Sequence, residues 1–278
     1  MKTALITGAN SGIGLATAKA LAAQGFDLIL MVRSVEKGQK AAQIIKKSSP
    51  ESQIEIVTAD LADLDSVRQA AAVVVSKYPK LDRLINNAGY SATEIKFTKA
   101  GYEKSFVANH LGHFVLTNAL MPLLKASDEA RVISVSSAAH SLGSVARFFV
   151  KNNKGLTLVQ SYGDGKLANI LFTKALAKRT SGSNVTAYSL HPGVVDSNFG
   201  GDFTGLFKWG WALMKPFSIS TEEGAQTSIF LATAPIESIK QFNGAYFDKS
   251  RPKNTRNRDI TDANADLVWQ KSEVAAGH

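Results

Sequence analysis

The 278-residue sequence contains no cysteine, and it has no apolar run of the ~18 residues that a membrane-spanning helix needs. The missing cysteine excludes a disulfide framework, a thiolate metal site and a cysteine nucleophile. The apolar run at the start of the chain ends at Thr7 and Gly8, too early for the ~7-residue core of a signal peptide. We therefore expect a cytoplasmic protein without a transmembrane segment.

Acidic residues are also few, with 23 Asp and Glu against 32 Lys and Arg, so the formal net charge is +9. Five of the basic residues lie in the stretch 249–258, which contains no acid. A charge excess gathered in one loop, without zinc-finger spacing or interleaved aromatic residues, favours a solvated loop over a nucleic-acid site. We expect no nucleic-acid partner; a steeply salt-dependent DNA affinity that depends on these charges would contradict this.

Short apolar strands alternate along the chain with helices of ten or more residues, which is the pattern of βαβ units. No repeat, low-complexity tract or Pro/Ser-rich linker interrupts this pattern. It predicts one domain over residues 1–278 with an α/β fold, a doubly wound Rossmann-type three-layer sandwich whose mostly parallel sheet has about seven strands. The predicted strands are 3–7, 27–32, 53–58, 81–86, 130–135, 184–190 and 243–247, and the predicted helices are 12–24, 36–47, 64–78, 101–124, 161–180 and 221–232.

A glycine-rich turn joins the first predicted strand to the first predicted helix. Its residues are Gly8, Ala9, Asn10, Ser11, Gly12, Ile13 and Gly14. Glycines let the main chain approach a phosphate closely, and the following helix turns its first amides toward the anion. A plain tight turn is the alternative, but the position after a strand and before a helix favours a dinucleotide site.

The residues that follow the second and third strands bear on which dinucleotide binds. An acid after the second strand would accept a bond from the ribose of NAD, but this chain has Arg33 there. Arginine suits a 2′-phosphate in charge and shape, which predicts NADP(H), while a surface arginine without a ligand is the alternative. Asp60 either accepts from the adenine amino group or caps the helix after Leu61.

Five motifs occur in the order found in short-chain dehydrogenases/reductases, and the chain resembles that family. The motifs are TGANSGIG at 7–14, NNAG at 86–89, the serine pair at 136–137, Tyr162-x-x-x-Lys166, and the Pro-Gly pair at 192–193. The runs NHLGHF at 109–114, KLAN at 166–169 and HPG at 191–193 look most like the retinol-dehydrogenase-like branch. Many relatives in that branch carry an N-terminal membrane anchor, which we do not expect in this chain.

The resemblance implies a catalytic tetrad, which transfers position by position to Asn109, Ser137, Tyr162 and Lys166. It also implies a nicotinamide cofactor. Taken with the residues considered above, the candidate cofactor-binding residues are Gly8, Asn10, Ser11, Gly12, Ile13, Gly14, Arg33, Asp60, Leu61, Asn87, Ala88, Gly89, Tyr162, Lys166, Pro192, Gly193, Val195 and Ser197. The family often forms homodimers or homotetramers through its long helices, and 101–124 and 161–180 suit that role by analogy alone.

Reduction of a carbonyl leaves an alkoxide that needs a proton. Tyrosine has a reference pKa near 10, and a nearby ammonium would lower it, so we expect Lys166, one helical turn after Tyr162, to lower the pKa of the tyrosine. Ser137 would donate to the substrate oxygen, and Asn109 would fix a water beside Lys166, a role taken from the family. Ser136 is the alternative to Ser137. The two glycines at 163 and 165 predict a loose start to this helix.

Two further features bear on ligands. The five histidines have neither metal-site spacing nor an acidic cluster, so we expect no metal, with His113 and His191 packed or hydrogen-bonded near the site.

Six aromatic residues lie within 199–217, directly after the expected nicotinamide loop. We expect a substrate lid at about 198–220 that favours apolar molecules; a helix packed on the core or on a second subunit, and shallow peripheral membrane contact, are the alternatives.

The sequence thus predicts an NADP(H)-dependent oxidoreductase acting on a hydrophobic aldehyde, ketone or alcohol, with Tyr162 as acid and base. The alternative from another class is an NADP(H)-binding sensor or regulatory protein with little turnover. The complete Asn–Ser–Tyr–Lys set argues against a sensor, because a sensor needs no proton donor.

Overall fold

A computed structural model of the protein describes residues 1–195 and 218–277. Its single sheet has eight strands in the order β3-β2-β1-β4-β5-β6-β7-β8, and every neighbouring pair is parallel except β7 with β8. The strands are β1 Lys2–Thr7, β2 Phe26–Val32, β3 Ile54–Thr58, β4 Arg83–Asn86, β5 Ala130–Val135, β6 Val185–His191, β7 Tyr246–Asp248 and β8 Arg251–Pro252. The predicted α/β class is confirmed, and the strand not predicted is β8, which has only two residues.

Helices cover both faces of this sheet, as strands with apolar residues on both sides require. They are α1 Gly12–Ala23, α2 Val35–Ser48, α3 Leu64–Lys77, α4 Lys104–Phe106, α5 Gly112–Ala119, α6 Met121–Lys125, α7 Leu158–Arg179, α8 Thr221–Thr233, α9 Ile236–Ile239 and α10 Asp262–Ala276. One buried apolar cluster lies under α3, α5, α7 and α10, and a second lies under α1, α2 and α8. The sheet therefore separates two cores.

The continuous helix predicted over 101–124 is wrong. The chain becomes helical only at Lys104, passes through a π-helical turn at Val107–Leu111, continues as α5 and breaks at Leu120 before α6. Pro122 stands in the first turn of α6, where a missing amide costs no helical hydrogen bond. The π turn, a feature often found at functional sites, contains Asn109.

Helix α7 begins one turn earlier than predicted and is not loose at its start. Thr157 and Gln160 form a capping box, in which each side chain accepts a hydrogen bond from the main-chain amide of the other residue. A Cβ on Gly163 would lie 2.8 Å from the carbonyl oxygen of Ala139, and one on Gly165 would lie 3.0 Å from the Cβ of Asn109. These two glycines therefore allow close packing on both sides of the helix.

The C-terminal helix α10, which was not predicted, closes the outer face of α5 and α7. The Trp269 ring stacks on Phe172 of α7 with an interplanar angle of 7° and meets the Phe114 ring of α5 edge-on. Ser272 is 2.8 Å from Nε2 of His110 in the π turn. Helix α10 thus packs directly behind the helical stretch that carries Asn109.

Candidate active site

The glycine-rich turn lies between β1 and α1 at the carboxyl edge of the sheet. Gly8 and Gly12 have φ values of +66° and +55°, which favour glycine. A Cβ on Gly14 would lie 2.4 Å from the Gly8 carbonyl oxygen, so only glycine lets α1 start this close to the turn. Ser11 precedes the helix without a side-chain cap. The first amides of α1, through Ile13, therefore suit an anionic group, which fits a dinucleotide phosphate.

Thr7, at the end of β1, binds the turn after β4. Its hydroxyl oxygen accepts from the amides of Asn87 and Ala88 at 2.9 Å each, and the Asn87 side chain donates to the Thr7 carbonyl at 2.8 Å. Asn10 is partly exposed on the glycine-rich turn nearby. The structure therefore brings together the two turns expected to border the cofactor, and Gly89 continues the second one.

The ends of β2 and β3 present Arg33 and Asp60 at the same edge of the sheet. Arg33 is exposed. The Asp60 carboxylate accepts from the amide of Ala62 at 2.9 Å, whereas the cap of α3 is Asp63. The helix-cap alternative for Asp60 is therefore wrong, because a residue three positions later supplies the cap. Leu61 beside it is buried.

Ser137 and Tyr162 meet where the end of β5 faces the first turns of α7. A hydrogen bond from the Ser137 side chain favours the tyrosinate, but burial raises the pKa of Tyr162 to about 12. The Ser137 oxygen also accepts from the Ala139 amide at 3.2 Å. The alternative serine, Ser136, donates instead to the Lys166 carbonyl at 2.7 Å and is buried, so it holds α7 rather than facing Tyr162.

Lys166 is buried one turn further along α7. Its Nζ donates to the Val135 carbonyl at 3.1 Å and lies 5.5 Å from the centre of the Tyr162 ring. Burial lowers the pKa of Lys166 to about 8. Burial outweighs the Ser137 hydrogen bond in setting the pKa of Tyr162, and the expectation that Lys166 lowers this pKa stays a prediction.

Asn109 lies in the π turn beside α7. Its side chain donates to the Tyr90 carbonyl at 2.7 Å and accepts from the Tyr90 amide at 3.0 Å, so it ties the turn after β4 to this helix. The Asn109 carbonyl is 3.1 Å from Nδ1 of His113. The contact with Gly165 brings Asn109 next to the same helix that carries Tyr162 and Lys166.

The sequence matches a known protein family. The model described as short chain dehydrogenase matches residues 2–204.

The chain belongs to the short-chain dehydrogenase family.

Relatives with known names indicate the branch of the family that the chain resembles. Mouse retinol dehydrogenase 12 is 40% identical over 271 residues, which cover 98% of this chain and 85% of the relative. Mouse retinol dehydrogenase 11 is 41% identical over 88% of this chain and 77% of its own length. The resemblance to the retinol-dehydrogenase-like branch is thereby confirmed, and the family uses nicotinamide cofactors in oxidoreduction.

Solved structures agree with the fold of a short-chain dehydrogenase. A protein of uncharacterized function from Mycobacterium paratuberculosis superposes with a TM-score of 0.77 and 31% identity, covering 100% of this chain and 94% of the other. An NADPH-bound carbonyl reductase from chicken fatty liver gives 0.69 at 23% identity, covering 92% and 99%. The second likeness concerns the fold alone.

The loop after β6 is described only in part. Pro192 and Gly193 follow the strand, and Val195 forms a parallel bridge with Ile219. Ser197 and the aromatic segment 199–217 lie outside the described residues. The lid expected at about 198–220 therefore stays a prediction.

Two histidines lie next to Ser137, and sequence reasoning placed only one of them, His191, near the site. His140 Nδ1 lies 2.7 Å from the Ser137 carbonyl, and the Ala138 amide donates to His191 Nδ1 at 3.3 Å. Burial lowers the pKa of both imidazoles. The expectation that His113 and His191 are hydrogen-bonded near the site is confirmed, and the HPG run was the signal for His191.

The basic stretch 249–258 packs beside this part of the site. Lys253 pairs with Asp248 at 2.5 Å, and the Asn257 side chain donates to the carbonyls of His140 and Gly143 at 2.8 and 3.1 Å.

Within the described ranges no helix has both the length and the apolar character that crossing a membrane requires, and no group of three or more His, Asp or Glu could hold a metal ion.

Proposed function

We propose that this short-chain dehydrogenase is an NADP(H)-dependent carbonyl reductase and alcohol dehydrogenase. It transfers hydride between NADPH and a hydrophobic aldehyde, ketone or alcohol, with Tyr162 as acid and base. The observation that carries the proposal is the hydrogen bond between Ser137 and Tyr162 beside the Lys166 ammonium, 5.5 Å from the tyrosine ring. In the cell we expect the reductive direction, because NADPH is the abundant form.

The chain's own residues supply the proton chemistry. The Ser137 hydroxyl would donate to the substrate oxygen, and Tyr162 Oη would deliver its proton to that oxygen as charge develops there. Lys166, with a pKa of about 8, exchanges protons near neutral pH and would restore the proton on Tyr162. When bound, the nicotinamide supplies or takes the hydride and would lie against Asn87, Ala88, Gly89, Pro192, Gly193 and Val195.

Arg33 supports NADP(H) over NAD(H). It is an exposed cation at the carboxyl end of β2, the position where an acid would bind the ribose of NAD. A guanidinium offers a fork of donors that matches a phosphate. Asp60, one strand further out, is the candidate for the adenine amino group.

An apolar substrate is supported by the two mouse relatives, both of which carry the name retinol dehydrogenase. The six aromatic residues of 199–217 would form the apolar side of the substrate site as a lid. If they do, substituting Trp211 and Phe207 with alanine raises KM for apolar carbonyls more than for small ones.

The test follows NADPH absorbance during reaction with retinal, long-chain aldehydes, steroids and aromatic ketones. We expect consumption by the wild type and a loss of roughly 10²- to 10⁴-fold in kcat for Tyr162→Phe, with NADPH affinity retained. Tyr102→Phe is the matched control, because Tyr102 packs edge-on against Phe149 and is not among the residues proposed to bind cofactor or substrate. Wild-type protein that binds NADPH and reduces none of these compounds would favour the sensor alternative.

A further inference from the structure

The segment from Ser137 to Phe148 lies along the first turns of α7. It contains two short 3₁₀ helices, Ala138–Leu142 and Val145–Arg147. A Cβ on Gly143 would lie 2.6 Å from the Gly163 carbonyl, so the main chain of the segment touches the main chain of the helix. Its position relative to Tyr162 is therefore set by contacts with α7 itself.

Asp164 makes the strongest of these contacts. Its side chain is only 4% exposed, and it accepts three hydrogen bonds from the segment. The Ser144 amide donates to Oδ1 at 2.9 Å, while Arg147 donates from Nη2 to Oδ1 at 2.7 Å and from Nε to Oδ2 at 3.0 Å. Two parallel bonds from a guanidinium to a carboxylate fix direction as well as distance.

Arg147 also forms a hydrogen bond within the segment. The same Nη2 donates to the Leu142 carbonyl at 2.7 Å, so the guanidinium joins the two 3₁₀ helices. The far side of the segment is held by Asp259, which accepts from the Val145 amide at 2.8 Å. The segment is thus clamped between α7 and the chain before α10.

The position of Asp164 in the sequence connects this clamp to the chemistry. It stands between Tyr162 and Lys166, so one helical turn carries the tyrosine, the lysine and the anchor of the segment that begins at Ser137. At the segment's start, Ser136 is fixed to the Lys166 carbonyl at 2.7 Å. The Ser137 hydroxyl is therefore held near Tyr162 from both ends of its own segment.

We propose that Asp164 is a positioning residue, which holds Ser137 against Tyr162 by fixing the segment 138–148 onto α7 through Arg147. Asp164 touches neither substrate nor cofactor in this role. The kinetic part of the proposal rests on the proposed reductase function, whereas the structural part does not.

The test compares Asp164→Asn with Asp262→Asn. Asparagine keeps the shape and one acceptor oxygen, but it removes the charge and turns a donor toward Arg147. Asp262→Asn is the matched control, because it breaks an ion pair that α7 makes away from the segment, between Lys174 of α7 and the exposed Asp262 of α10 at 2.8 Å. Arg147→Lys is a milder second variant that keeps the charge and loses the fork, and Arg147 is partly exposed.

Hydrogen–deuterium exchange of the segment is the first readout, and it does not depend on turnover. We expect exchange within 138–148 to become several-fold faster in Asp164→Asn and in Arg147→Lys, with the glycine-rich turn unchanged and Asp262→Asn like the wild type. Unchanged exchange in both variants would overturn the proposal. This readout keeps the proposal testable even if no carbonyl substrate is found and the proposed function fails.

The second readout is kcat per NADPH-binding site, which a loss of folded protein does not alter. We expect kcat to fall roughly 10- to 100-fold in Asp164→Asn, with the Kd for NADPH within twofold of wild type. Because both variants break one contact, the double variant should be no slower than the worse single variant. Faster exchange with an unchanged kcat would limit Asp164 to a structural role and overturn the proposal.

Discussion

The Thr7 hydroxyl lies 2.9 Å from Nε2 of His113, and the other ring nitrogen of that histidine is 3.1 Å from the Asn109 carbonyl. A carbonyl can only accept, so Nδ1 carries the proton and Nε2 accepts from Thr7. The Thr7 oxygen in turn accepts from the amides of Asn87 and Ala88. One neutral imidazole thus connects the turn expected to border the cofactor with the π turn of Asn109.

This arrangement predicts that stability falls in mild acid. Burial lowers the pKa of His113 to about 4 and that of His110 to about 3, against about 6.5 in the unfolded chain. Above pH 6.5 both states hold neutral imidazoles. Below pH 6.5 the histidines bind protons in the unfolded chain but stay neutral in the folded chain. As the pH falls, the free energy of unfolding should therefore decrease by roughly 1.4 kcal/mol per pH unit for each histidine, until the pH reaches the pKa of that histidine in the folded state.

Urea unfolding between pH 7.5 and 5 measures this dependence. His110→Leu removes one of the two buried imidazoles. Below pH 6.5 the slope of its free energy of unfolding against pH should therefore be smaller than that of the wild type, by the contribution of about one bound proton. A slope equal to that of the wild type would mean that His110 does not stay neutral in the fold.

Arg33→Asp should reverse the choice between the two dinucleotides. Replacing a phosphate-binding cation with a carboxylate should lower the ratio of kcat/KM for NADPH to that for NADH by roughly 10- to 100-fold, since hydrogen bonds to charged groups contribute about 1.5–3 kcal/mol. Lys47→Asp makes the same change of charge in the last turn of α2 and should leave the ratio unchanged. An unchanged ratio in Arg33→Asp would remove this residue from the phosphate site.

Gly163→Ala should destabilise the protein although alanine favours a helix. The new Cβ would lie 2.8 Å from the Ala139 carbonyl oxygen and 3.1 Å from the Gly143 nitrogen, both main-chain atoms. Overpacking of this kind costs about 1–3 kcal/mol, against a gain of about 1 kcal/mol in helix propensity. Urea unfolding should detect a net loss, while Gly155→Ala, with its nearest contact at 3.6 Å, should not change stability.

Trp269→Ala should detach α10 from the face it covers. The side chain is buried against Phe114 and Phe172, and Arg179 lies 4.5 Å above the ring. Removal of a buried tryptophan costs about 3–5 kcal/mol. Val274→Ala, on the same helix and 75% exposed, is the control and should change the free energy of unfolding little. Equal effects in the two variants would mean that α10 contributes little to the core.

The sheet was predictable because most of its strands are rich in apolar residues and alternate with helices along the chain, a pattern that specifies a parallel sheet. The glycine-rich turn and the Tyr162 and Lys166 pair were predictable because their spacing is local. Strands Phe26–Val32 and Ala130–Val135 match their predicted ranges within one residue.

The features missed from the sequence depend on distant contacts. The π turn is held by the Asn109 side chain on Tyr90, 19 residues away in sequence, so no local period indicates it. Helix α10 has few large apolar residues, and its anchors Trp269 and Ser272 meet partners more than 90 residues earlier in the chain. Gly163 was judged from helix propensity, whereas its role is set by the neighbouring main chain.

The placement of α10 has a consequence for biosynthesis. The ribosome makes this helix after every element that the helix covers. Ser272, for example, is made 162 residues after its partner His110. Until then the nascent chain exposes the aromatic face formed by Phe114 and Phe172, although the sheet beneath it is already complete in sequence. The aromatic face of Phe114 and Phe172 is therefore covered later in synthesis than the sheet that lies beneath it, once Trp269 has been made.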